Sequence, residues 1–191
     1  MTSSVPGEGK TTISANLAIS CAMSGKKVLL VDSDLRRASQ REMFHYDSEL
    51  PGLSDILAGK AKLAETVFHT RWEMLDILPA GRIPQNPDVL MGGERMEKVL
   101  SEAEEQYDLV IVDMPPVNVL PDALMVSDCV AGCLLVVRQD YTDIREVRKA
   151  MGSAEMTKMN ILGFVFYGEK VRPVAYYDRK QYKNYYNSSP A

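Results

Sequence analysis

Three short segments carry residues whose types and spacing suit the handling of phosphate. Ser4-Val5-Pro6-Gly7-Glu8-Gly9-Lys10-Thr11 follows the spacing GxxxxGK[ST], with serine where the first glycine usually stands. Gly7 and Gly9 allow backbone N–H groups to turn inward around phosphate oxygens, and a helix starting near Thr11 adds its positive N-terminal end. In that arrangement Lys10 reaches the outer phosphates of a nucleoside triphosphate and the Thr11 hydroxyl binds Mg²⁺. The expected nucleotide contacts are Pro6, Gly7, Glu8, Gly9, Lys10, Thr11 and Thr12. The alternative is a glycine-rich turn entering a helix beside a chance lysine.

The second segment, Lys27 to Asp32 (KVLLVD), is an apolar run ending in Asp32-Ser33-Asp34-Leu35-Arg36-Arg37. Two carboxylates thus emerge at the carboxyl end of a strand, where open α/β sheets place their ligands. An aspartate beside a magnesium-bound phosphate can accept the proton of an attacking hydroxyl. The competing reading is a strand-end turn with Asp34 capping the next helix. The third segment, Leu109-Val110-Ile111-Val112-Asp113-Met114-Pro115-Pro116, delivers Asp113 at the end of another apolar run, as the second magnesium-holding acid of phosphate-loop enzymes requires. Alone, Asp113 is a common kind of strand end; in this order, the three segments are far more specific.

The elements that must position these residues alternate in the manner of a parallel sheet covered on both faces. Strands are expected at Lys27–Asp32, Leu75–Leu78, Leu109–Asp113, Gly132–Val137 and Ile161–Phe166, and helices at Thr11–Ser24, Ser39–Phe44, Gly93–Gln106, Ala123–Ser127 and Asp143–Met156. Right-handed crossovers make this an α/β doubly wound, mostly parallel sheet of the phosphate-loop type. Pro79, Gly81, Pro84 and Pro87 mark a loop. Only Met1 to Ser3 precede the phosphate loop, which normally follows a buried central strand, so the first strand is expected to be largely missing, as in a fragment or a start at a misassigned methionine.

At 191 residues the chain suits one domain, expected over 1–170, with 171–191 as a flexible tail. Apolar residues make up 46% and charged residues 25%, and a net charge of -4 offers no general attraction to nucleic acid. Cys21, Cys129 and Cys133 fit neither a disulfide framework nor a zinc site, which favours a reducing compartment. The longest apolar run, Cys129 to Val137, is far below the ~20 residues that cross a bilayer. His45 and His69 stand apart from any metal-ligand pattern, and Arg36 and Arg37 suit either phosphate or subunit contact or a solvated helix start.

Together, SSVPGEGKTT, VLLVDSDLRR and DLVIVDMPP, with PGLSDILAG, LDILPAGRIPQNPDVLM and LLVVR between and after them, resemble the bacterial tyrosine kinases of capsule and exopolysaccharide synthesis, relatives of the Min and Par partitioning ATPases. The resemblance covers nearly the whole chain. It implies an ATP- and Mg²⁺-dependent protein-tyrosine kinase in which Lys10 grips phosphate, Thr11, Asp34 and Asp113 position magnesium, and Asp32 is the base for the tyrosine hydroxyl. Partitioning ATPases carry an extra lysine at the position of Val5, which favours the kinase branch. Five of the nine tyrosines, Tyr176, Tyr177, Tyr182, Tyr185 and Tyr186, lie in one window among charged residues, which suits exposure. In the family such a cluster is autophosphorylated by a neighbouring subunit; a sticky aromatic or RNA-stacking tail is the other reading.

The resemblance further implies a homo-oligomer, a membrane adaptor of the polysaccharide co-polymerase kind, a cognate tyrosine phosphatase and a cytoplasmic site at the inner face of the membrane. Two departures stand out. The family's arginine-bearing N-terminal helix does not precede the loop, and Tyr167 stands where relatives usually have an asparagine that helps seat adenine. Tyr167 could instead stack on the base. A partitioning-type ATPase and a nucleotide-binding assembly module without catalysis remain as alternatives.

Overall fold

A computed structural model describes residues 1–47, 49–84 and 86–168. Its elements run β1 (Thr2–Ser3), α1 (Lys10–Met23), β2 (Val28–Asp32), α2 (Gln40–Phe44), α3 (Leu53–Leu57), α4 (Leu63–Thr66), β3 (Phe68–His69), β4 (Leu75–Leu78), α5 (Pro87–Met91), α6 (Glu94–Glu104), β5 (Leu109–Asp113), α7 (Asp122–Met125), β6 (Cys133–Arg138), α8 (Ile144–Met156) and β7 (Ile161–Tyr167). The expected 171–191 tail, with its five tyrosines, lies outside the described residues.

The strands form two hydrogen-bonded sets, β3-β4-β2-β5 and β1-β6-β7, parallel except for β3 against β4. Met1 joins the sets: its nitrogen donates to the Val112 carbonyl at 2.6 Å, and its carbonyl accepts from the Met114 N–H at 2.9 Å. The spatial order is therefore 3-4-2-5-1-6-7, the doubly wound sheet expected, with Thr2–Ser3 as the whole of β1.

All five residues of β2 are buried, because alternate side chains enter two different cores. Leu29 and Val31 pack with Leu53, Met96, Leu100 and Leu135, while Val28 and Leu30 pack with Ala15, Ala18, Leu75 and Ile77. Each such leucine or valine contributes about 1.5–3 kcal/mol on burial. Helix α1 presents Ser14, Ala15, Ala18 and Ala22 to the sheet, and these small side chains let its axis lie close above β2 and β5. Helix α6 buries Met96, Val99, Leu100 and Ala103, while Glu94 and Glu97 in its first turn complement its dipole. Asp143 caps α8 by accepting from the Arg145 N–H at 2.8 Å.

Every expected strand and helix is present with ends moved by one or two residues, except that the 123–127 helix becomes α7 followed by a short 3-10 turn at Ser127–Cys129. Helices α3, α4 and α5 and strand β3 were not anticipated; at two to five residues each, they are too short to show a period. Part of the proline-marked loop is thus helical, with Pro87 at the first position of α5, where its missing N–H costs nothing. His69 pairs with Asp76 across β3 and β4 at 2.7 Å, on the surface and far from the strand ends that carry the acids.

Candidate active site

Because β1, β2 and β5 are parallel, their carboxyl ends reach one edge together, and the phosphate loop, Asp32 and Asp113 arrive side by side. Asp32 and Asp113 are register partners on β2 and β5. The loop closes onto α1 through Gly9, whose φ of 77° places it in the left-handed region; Gly7 has a φ of 83°.

Lys10 extends over the acids, with its Nζ 3.4 Å from Asp34 Oδ2 and 3.6 Å from Asp113 Oδ1. Asp113 also accepts from Gln40 Nε2 at 2.9 Å and from Ser14 Oγ at 3.3 Å. Asp34 accepts from the Arg37 N–H at 3.0 Å and so closes a turn rather than capping α2. The α2 start belongs to Asp32, whose Oδ2 accepts from the Gln40 N–H at 3.2 Å. Asp32 is fully buried, its Oδ1 has no hydrogen-bond partner, and its carboxyl is pushed up to about 7 by burial and then by the Asp113 charge. The Tyr46 hydroxyl lies 3.5 Å from Asp32 and is held well above its ordinary value, first by burial and then by that carboxylate.

Three carboxylates against one ammonium leave the site short of positive charge. The unpartnered buried oxygens of Asp32, Ser33 and Gln40 lie in the same region. Among the described residues no group of three acidic, histidine or cysteine side chains could hold a metal ion unaided. That donor set fits Mg²⁺, which keeps several waters and takes one or two protein oxygens together with substrate phosphates. Lys10 Nζ, which meets Asp34 and Asp113, also lies 3.3 Å from the Thr11 hydroxyl.

The loop is braced by parts of the chain that its motif does not contain. Glu8 is fully buried: its carboxylate accepts from Ser4 Oγ at 3.0 and 3.1 Å, from the Val5 N–H at 2.6 Å, and from the Thr142 hydroxyl. Serine at position 4 therefore has a structural reason, and the Glu8 side chain is committed to the loop itself. From the end of β6, Arg138 donates to the Gly7 carbonyl at 3.1 Å, and the Tyr141 hydroxyl donates to that of Pro6 at 2.9 Å. Tyr167, at the end of β7, rests its hydroxyl against Gly9, so a Cβ there would collide with it. Ser14, Gln40, Arg138, Tyr141 and Thr142 were missed by sequence reasoning. The one available signal was that residues 138–142 follow the carboxyl end of a strand.

Arg36 is engaged by an acid rather than left as part of a solvated helix start. Its Nη1 lies 2.9 Å from Oδ2 of the fully buried Asp122, which ties the segment after β2 to α7.

A phosphate loop heading a buried helix, opposite strand-end acids of a parallel sheet, defines a phosphate-loop nucleotide-binding protein. A family profile described as an AAA domain matches residues 3–144. The chain is 36% identical over 171 residues to the tyrosine-protein kinase YwqD of Bacillus subtilis, which covers 90% of this chain and 72% of that one. It belongs to the AAA-domain family and, within it, to the bacterial tyrosine-protein kinases, and so its enzyme class is that of a protein-tyrosine kinase.

Against the tyrosine-protein kinase Etk of Escherichia coli it is 38% identical over 168 residues, 88% of this chain but 23% of that longer one. The solved kinase domain of Etk superposes with a TM-score of 0.85 over 92% of this chain and 69% of that domain, at 38% identity. MinD of Pyrococcus horikoshii, solved with Mg-ADP, is 27% identical with a TM-score of 0.74 over 94% of this chain and 74% of that one, in line with use of a nucleotide and magnesium. Among the described residues no helix is long and apolar enough to cross a membrane.

Proposed function

We propose that this domain transfers the γ-phosphoryl group of Mg-ATP to tyrosine hydroxyls, with Tyr176, Tyr177, Tyr182, Tyr185 and Tyr186 of a neighbouring copy as its principal acceptors. The convergence of Asp34 and Asp113 on Lys10 at the head of α1, with Asp32 the register partner of Asp113, carries the reading. The loop backbone from Pro6 to Thr12 and the Lys10 ammonium bind and orient the triphosphate. Mg²⁺ at Thr11, Asp34 and Asp113 would neutralise charge on the transferring group. Asp32, with its carboxyl held near neutrality and one free oxygen, takes the proton of the incoming tyrosine.

Phosphate on the tail would turn a mildly basic segment acidic, about -1.5 to -2 charge per site, and weaken docking that depends on the free tail. In this reading the domain works as a homo-oligomer on the cytoplasmic face of the membrane, held there by a polysaccharide co-polymerase adaptor. It regulates capsule or exopolysaccharide synthesis and is reset by a tyrosine phosphatase. The likeness to MinD supports a second reading, an ATPase switch, which predicts ATP turnover without phosphotyrosine.

Incubation with Mg-ATP, followed by measurement of released phosphate and mapping of phosphotyrosine by mass spectrometry, separates the two. Lys10→Met should silence both signals. Asp32→Asn should abolish tyrosine phosphorylation while nucleotide affinity stays within a few-fold. A tail without phosphate, in folded and ATP-binding protein, would sink the kinase reading.

A further inference from the structure

Strands β1 and β6 pair, Thr2 with Leu135 and Ser3 with Val136, so the residues that leave their ends, 6–8 and 138–142, meet again beside the nucleotide site. The turn after β6 is closed on itself. The Thr142 N–H donates to the Arg138 carbonyl at 3.0 Å, the Thr142 hydroxyl accepts from the Arg138 N–H at 3.1 Å, and Asp140 takes a left-handed φ of 56°. From this turn Arg138 donates to the Gly7 carbonyl, Tyr141 to the Pro6 carbonyl and Thr142 to the Glu8 carboxylate. The Arg138 guanidinium lies 5.0 Å from the centre of the Tyr141 ring. A Cβ on Gly7 would stand only 2.6 Å from the Tyr141 hydroxyl, so that hydroxyl rests directly on the loop backbone.

The two carbonyl contacts fix the direction of two neighbouring peptide planes. In a trans peptide the carbonyl and the N–H that follows it point opposite ways. With the Pro6 and Gly7 carbonyls held toward the turn, the Gly7 and Glu8 N–H groups point away from it, and neither has an acceptor among the described residues. Successive N–H groups on one side, with Gly7 at a φ of 83° between them, make the concave nest that anions occupy. Both contacts are exposed, and such bonds add little to folding because water replaces them readily. Their effect falls on orientation.

We propose that Arg138 and Tyr141 are positioning residues for phosphate: they hold the Gly7 and Glu8 N–H groups in the direction from which these donate to a bound polyphosphate. Donors set in advance bind an anion without first being ordered, whereas peptide planes free to rotate lose that advantage. The inference rests on phosphate binding by the loop and not on transfer to tyrosine.

The test titrates the full chain calorimetrically with Mg-ADP and with magnesium tripolyphosphate, which has no base. Tyr141→Phe keeps the ring beside Arg138 and the charge of the site, and removes only the donor. Arg138→Met removes the other donor, and Arg138→Lys restores one. Tyr141→Phe and Arg138→Met should each bind both probes ~5–10-fold more weakly, with the urea midpoint of the free protein unchanged. Arg138→Lys should recover most of the loss. In NMR spectra the Gly7 and Glu8 amides should shift less on saturation with Mg-ADP in Tyr141→Phe than in the wild type. Unchanged affinity of Tyr141→Phe for both probes would overturn the proposal. So would a loss confined to Mg-ADP, which would set Tyr141 against the base, or a loss matched by a fall in the urea midpoint, which would make the contact structural. A wild-type chain that binds neither probe would overturn the phosphate-loop reading itself, and this proposal with it.

Discussion

Asp32→Asn tests the electrostatics of the site without reference to catalysis. The carboxyl sits near 7 in the folded protein against an ordinary 3.8, a difference of about three units or ~4 kcal/mol in total. The pKa is raised, so the folded state holds the proton more tightly than the unfolded chain. The associated stability is fully present below the unfolded value and is lost as pH rises through about 7. Between pH 5 and pH 8 the wild-type chain should lose ~3 kcal/mol through this one group. Asparagine cannot titrate, yet its oxygen can still accept from the Gln40 N–H. Urea unfolding in EDTA at half-unit steps should therefore show the variant gaining on the wild type by ~3 kcal/mol across this range. A gap that does not change with pH would refute the burial and Asp113 repulsion assigned to Asp32.

Restoring the usual first glycine should harm this loop. Ser4→Gly removes two contacts from the buried Glu8 carboxylate and should cost about 1–3 kcal/mol in urea denaturation. Gly9→Ala places a Cβ at a left-handed residue already touched by the Tyr167 hydroxyl, and calorimetric titration should show Mg-ADP affinity reduced at least ~10-fold. Adding Tyr167→Ala should recover only part of it, because the backbone strain remains. Arg36→Ala breaks the ion pair with buried Asp122 and should lower stability by about 2 kcal/mol, read as a shift of the urea midpoint.

Sequence by itself determined the parallel sheet, the phosphate loop, and the meeting of Lys10 with Asp34 and Asp113. Those follow from local rules: an apolar strand reads as a run, a glycine pattern announces a turn, and parallel strands bring their carboxyl ends to one edge. Tertiary structure alone decided what surrounds them. Gln40 reaches Asp113 across 73 positions, Thr142 reaches Glu8 across 134, and Arg138 reaches Gly7 across 131. Such contacts leave no spacing in the sequence. The raised carboxyl of Asp32 has the same origin, since burial and the register partner Asp113 are properties of the assembled sheet. The sparse first strand was legible from the position of Ser4 near the start. The apolar cavity lined by Val110, Val112, Cys133 and Leu134 exists only because β5 and β6 fold to either side of it.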